Sequence, residues 1–160
     1  MPLIASSFVT DATLQEFMPD VLTYGVATFD PQSLRASDDI YNRLVAEWWP
    51  DAVSRRYGLL LNSFDVQSNL IPQLDPAFLD TVALEAVTSY RAISHYIMPL
   101  LSSDNDANGD MFTRRAARYH DFYLEEWQKL VLLPLYDFNQ DTQFTNIERR
   151  GPTMKKLLRA

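Results

Sequence analysis

The chain has no cysteine. That excludes disulfides, thiolate metal sites and a cysteine nucleophile, and it leaves the compartment open. Glycine is scarce too, four in 160 residues, and no glycine-rich phosphate loop is spelled anywhere. Only two histidines occur, His95 and His120. No Glu-x-x-His pair precedes either, which counts against a di-iron carboxylate bundle, and no Ser-His-Asp arrangement stands out. No run of about 18 apolar residues exists, so no membrane span is predicted. The opening stretch, MPLIASSFVTDATLQEF, has no basic region ahead of its apolar part and does not read as a signal peptide. Positive charge is in deficit: 14 Lys and Arg stand against 21 Asp and Glu, for a net charge of -7. An acidic chain is a poor candidate for gripping nucleic acid. There is no internal repeat and no low-complexity tract.

Apolar residues make up 47% of the chain and charged residues 22%, a balance that supports one domain over residues 1–160 with a real core. The pattern is mostly α, with about four helices in a bundle. Thr10 or Asp11 can cap a short helix that stops near Pro19. Residues 21–32 lack a helical period and are expected to be extended or looped. Ser37 or Asp38 can cap a helix whose stripe is Tyr41, Leu44, Val45 and Trp48, and Pro50 should end it. Residues 51–58 can add two further turns. From 59 to 74 the pattern is irregular, and a short extended or β-ribbon segment is expected there.

Two long helices dominate the second half. Asp75 is placed to cap the first, with Pro76 at its first helical position, and it should run to about Met98, before Pro99. Leu79, Val82, Ala83, Ala86, Tyr90, Ile93 and Ile97 are expected to share its face. The second runs from about Asp110 to Leu133, with Phe112, Ala116, Tyr119, Tyr123, Trp127 and Leu130 as its stripe. The connection between them is short enough to make the two helices antiparallel neighbours.

The candidate chemistry is sparse. His95, in an apolar helix, reads most simply as a core or interface histidine. A small enzyme with a site around His95, His120 and Glu125 is an alternative. Asp38–Asp39 and Glu125–Glu126 point in different directions on a helix and read as solvated faces. Residues 137–148 resemble a calcium loop in part: Asp137, Asn139 and Asp141 fall on positions one, three and five, and Glu148 on twelve. Thr142, however, replaces the required glycine at six. Residues 104–115 carry the other half of that pattern, with Asp104, Asp106, Asn108 and Gly109 in register, but Arg115 occupies position twelve and cannot ligate. A calcium-responsive helical protein is therefore a second alternative, and turns built by Asp and Asn on their own backbone are the plainer account. No catalytic, cofactor or metal residue is assigned. Arg114, Arg115 and Arg118 cluster at the N-terminal end of the last helix, where the helix dipole is already positive. That placement points to a partner carboxylate or phosphate, or simply to a solvated face.

Taken together, the Arg-, Tyr- and acid-rich stretch RRAARYHDFYLEEWQKLVLLPLYDFNQD and the apolar helix DPAFLDTVALEAVTSYRAISHYIMPLL resemble the head-to-tail adaptor, or head completion, proteins of tailed bacteriophages. The resemblance covers about residues 75–148. It implies a non-enzymatic ring, usually a dodecamer, that binds the portal protein and presents a platform to a stopper or tail-completion protein. It also implies a place in the virion neck, reached by assembly in the host cytoplasm. Genomic DNA would pass through the lumen without specific binding, and neither cofactor nor membrane is involved. In such proteins an extended C-terminal arm docks on the portal; here it would be residues 145–160. Arg149, Arg150, Lys155, Lys156 and Arg159 make that arm basic, and Met154, Leu157 and Leu158 are its apolar anchors. An acidic partner surface, on a portal or on a neighbouring subunit, fits that composition.

Overall fold

The computed structural model describes residues 4–57, 72–104 and 109–144. They form a mostly helical bundle of about four helices. The first is α1 (Asp11–Phe17). The second comprises α2 (Asp30–Arg43), a π turn (Leu44–Trp48) and α3 (Trp49–Tyr57) in unbroken succession. The third is built the same way, from α4 (Thr81–Ala92), a π turn (Ile93–Ile97) and α5 (Met98–Asp104). The fourth is α6 (Gly109–Leu130). Most of the expected ribbon region, residues 58–71, and the whole arm, 145–160, lie outside the described residues. Among the described residues there is no β-strand; one isolated antiparallel bridge pairs Leu79 with Tyr136.

Local chemistry explains the helix starts, including those that periodicity misplaces. Thr10 caps α1 as expected, its hydroxyl accepting from Thr13 N. The second helix begins at Asp30, seven residues before the expected Ser37 cap. Pro31 lies in its first turn, where a missing N–H costs nothing, and Thr28 Oγ1 accepts from Asp30 N at 3.2 Å. Ser37 is instead buried inside the helix and donates back to Ser33 O at 2.8 Å. Asp75 caps only a 3-10 turn (Pro76–Phe78), and α4 starts afresh at Thr81 under Asp80, whose Oδ1 accepts from Ala83 N. Residues 21–24, expected to be extended or looped, make a 3-10 turn that stops at Gly25, whose φ of 82° suits glycine.

Neither Pro50 nor Pro99 ends its helix. A proline removes one intrahelical bond and drives its ring at the carbonyl four residues back. Those carbonyls belong to Ala46 and His95, and each lies within a π turn. Trp49 N–H bonds Leu44 O and Met98 N–H bonds Ile93 O, five residues back in both cases. The wider turn makes room for the ring, and the helix continues.

The chain divides into two compact units, Met1–Asn42 with Asp80–Leu132, and Arg43–Leu79 with Leu133–Ala160. In the first, Leu14, Met18, Phe29, Ile93, Ile97 and Phe112 lie in one buried cluster. Tyr90 meets Phe17 edge-on at 5.1 Å and lies near Tyr119 and Phe122 at 6.1 and 5.5 Å. The expected stripe of α6 holds: Phe112, Tyr123, Trp127 and Leu130 are buried and Ala116 and Tyr119 partly so. The stripe of α4 does not hold in full. Val82 is 73% exposed, and the buried positions are Leu84, Val87, Thr88, Ser89, Ala92 and Ile93. Buried hydroxyl residues in that set pull the true face away from the one that hydropathy marks. The N-terminal segment is tied to α2 by Phe8 N to Ser37 Oγ at 3.0 Å and Ile4 N to Asp38 Oδ1 at 3.2 Å.

Trp127 is 5% exposed. Trp127→Ala is expected to cost about 3–5 kcal/mol, as other buried aromatic truncations do. Denaturant unfolding of the two proteins measures it, and equal midpoints would mean that Trp127 is not part of the core.

Candidate functional site

The arginine cluster separates into three fates. Arg115 Nη1 donates to Asp20 Oδ2 at 2.9 Å and to the Tyr24 hydroxyl at 2.8 Å, while Tyr24 donates to the same carboxylate at 2.6 Å. The Tyr24 hydrogen bond lowers the Asp20 pKa; burial opposes it, and Arg115 adds to the lowering. Burial raises the Tyr24 pKa, and the Asp20 charge raises it further. The carboxylate that a cation at a helix N-terminus calls for is thus supplied from within the chain. Arg118 is exposed and lies over the Phe122 ring at 5.4 Å, and Arg114 is exposed. Only these last two remain on the outer face.

Both histidines are exposed, so of the two expectations for His95, core or interface, the core one is corrected: His95 lies in the π turn and faces outward. His95 stands edge-on to Tyr96 at 5.1 Å, and His120 is tilted against Tyr123 at 5.9 Å. Burial of part of the ring lowers the His95 pKa, Arg91 lowers it further, and Asp39 pulls the other way. Asp39 Oδ2 accepts from Arg91 Nε and Nη2 at 2.9 and 2.7 Å and from the Tyr96 hydroxyl at 2.8 Å. The Arg91 guanidinium also lies over Tyr123 at 5.6 Å. This network joins α2, α4, the π turn and α6 within one unit. Sequence reading missed it, because nothing local links Asp39 to a residue 52 positions away. Glu125 is exposed on α6. Among the described residues, no three His, Asp or Glu side chains are placed to hold a metal ion.

The Tyr-Asp-Phe stretch is the best-built element of the second unit. Trp49 stacks on Phe138 with centroids 5.7 Å apart and meets Tyr136 edge-on at 4.8 Å. Its indole N–H donates to Pro72 O at 2.8 Å. Phe78 O accepts from Asp137 N at 3.0 Å. Arg56 lies over Phe138 and donates to Asn139 Oδ1 at 3.0 Å. Asp137 is 4% exposed and turned onto the backbone. Its Oδ1 accepts from Asn139 N and Asp141 N, and its Oδ2 from Thr142 N at 2.7 Å. Burial pushes its pKa up, but backbone N–H groups at 139–142 outweigh that and hold it below the usual range. Gln140 and Thr142 adopt φ of 59° and 64°, the left-handed region, to bring those donors round.

One groove stands out. It holds about 320 Å³ and lies in the first unit, lined by Met98, Pro99, Ser102, Phe112, Thr113 and Ala116 of α5 and α6. A cavity in the second unit, beside Trp48 and Tyr136, holds only about 10 Å³. The eight arm residues singled out above, Arg149, Arg150, Met154, Lys155, Lys156, Leu157, Leu158 and Arg159, lie outside the described residues.

A carboxylate held below its ordinary pKa stabilises the fold above its unfolded-state pKa, and that contribution is lost as pH falls through the lowered value. Asp137→Asn is expected to lower the melting temperature at pH 7 and to remove part of the acid-induced loss expected of the native chain below about pH 4. Millimolar calcium should move neither melting curve. A calcium-dependent rise present only with Asp137 would overturn the structural role of this turn.

Compared with protein-family models, curated proteins and solved structures, the chain matches none.

Proposed function

We propose that this chain is a structural ring component of a tailed-phage neck, joining the portal to the stopper or tail and extending the DNA channel. The supporting observation is the order of parts after residue 80. An apolar helix is followed by a short acidic connection and an aromatic-striped helix. A Tyr136-Asp137-Phe138 turn with a buried, tightly bonded Asp137 comes next, and then a basic, apolar C-terminal stretch on a chain of net charge -7. Within the first unit the helices supply a packed body. The bonded turn fixes the point from which the last sixteen residues leave.

Exposed Leu124, Leu132 and Val82 supply apolar surface for contacts between neighbouring subunits, and Arg114 and Arg118 supply outward cations for a partner carboxylate. Arg149, Arg150, Lys155, Lys156 and Arg159 would meet an acidic surface, with Met154, Leu157 and Leu158 buried beside them. An acidic body suits a channel through which DNA must slide, since phosphates are repelled by it.

The test is co-expression with the portal of the same phage, followed by cryo-microscopy of the purified complex. A closed ring of this chain seated on the portal is the expected result, with dodecamers the leading stoichiometry. A monomer that leaves the portal bare would sink the proposal.

A further inference from the structure

We infer that the groove between α5 and α6 receives the C-terminal segment of a second copy of this chain, with Met154, Leu157 and Leu158 as its anchors. The groove is apolar in its make-up: Met98, Pro99, Phe112 and Ala116 supply most of its wall, and Ser102 and Thr113 the rest. It exists because the helix passes through Pro99, so that α5 lies alongside the first turns of α6. At about 320 Å³ it is at the small end of pockets that hold organic ligands, and a few aliphatic side chains fill such a space.

The segment has matching chemistry. Met154, Leu157 and Leu158 stand at i, i+3 and i+4, the anchor spacing of an amphipathic turn laid in a groove. Lys155, Lys156 and Arg159 then take the other side of that turn. Charge agrees with this assignment. From Met98 to Thr113 the chain carries Asp104, Asp106 and Asp110 and no Lys or Arg, while residues 149–160 carry five cations and no acid. Arg115, which follows the groove on α6, is already paired with Asp20, and counting the exposed Arg114 still leaves the stretch net acidic. Reach is no obstacle: sixteen residues beyond Phe144 can extend about 50 Å. An apolar anchor set on a strongly cationic segment gains from an apolar groove whose flanking sequence is acidic, because burial supplies the affinity and charge selects the partner.

This assignment goes beyond the neck proposal and does not need the portal. The absence of cysteine makes a clean test possible. Thr113→Cys is made in one full-length chain and Leu158→Cys in another that carries an affinity tag. The two are mixed and oxidised gently, and the tagged heterodimer is read on a non-reducing gel. Gln128→Cys, exposed on α6 away from the groove, replaces Thr113→Cys in the control. The expected result is a heterodimer with Thr113→Cys, little with the control, and loss of the product when Met154→Asp and Leu157→Asp are added to the tagged chain. Two results would overturn it: no heterodimer above the control, or a chain bearing both cysteines that closes only on itself. Rings on a portal without this cross-link would leave the neck proposal standing and remove this one. The cross-link without rings would do the reverse.

Discussion

A proline ring inside a helix must be given room, and two such rings shape this chain. Pro50 and Pro99 each follow a π turn that contains the carbonyl the ring would otherwise strike. Because the helices persist, Trp49 and α3 continue from α2 without a loop, and α5 continues from α4. The consequences differ in the two units. In one, the helix carrying Trp49 passes the Tyr136-Asp137-Phe138 turn and clasps it between aromatic rings. In the other, the extra turns of α5 lie against α6 and form the wall of the groove. The π turn at 93–97 also sets the directions of two neighbours: Tyr96 reaches the Asp39 carboxylate, and His95 faces outward.

Charge is handled locally within this framework. Each of three carboxylates is occupied by donors from its own unit: Asp20 by Tyr24 and Arg115, Asp39 by Arg91 and Tyr96, and Asp137 by its own turn. The Arg91–Asp39 pair is partly exposed, with side chains 21% and 33% accessible, so its worth is bounded at about 1 kcal/mol. Its value is geometric. One oxygen gathers three donors from the third helix and holds α2 in register against it.

Elements with a single physical cause were legible in the sequence. The stripe of α6 follows from one uninterrupted helical period, and the Thr10 cap from one hydroxyl before an apolar run. Three features were not legible. Helix ends at Pro50 and Pro99 were misjudged because a π turn leaves no mark in hydropathy. The buried face of α4 was misplaced because Thr88 and Ser89 are buried although polar, as is Ser94 in the π turn that follows. The fate of Arg115 was half legible: its place at a helix N-terminus demanded a carboxylate, but only the fold could show that the carboxylate is Asp20, 95 residues earlier.

The same division bears on function. Among the described residues, three carboxylates are bonded within their own units, while Arg114, Arg118, both histidines, Glu125 and other charged side chains are exposed. Here the groove is lined by apolar and hydroxyl side chains, while the perturbed carboxylates are tied to arginine, tyrosine and backbone N–H. On the proposed reading, the apolar groove of the first unit is suited to holding another chain. In the proposed contact the cationic stretch 149–160 would be the complementary half, so that one chain would carry both surfaces. Head-to-tail contacts of this kind propagate, closing into a ring where the rotation between neighbours permits.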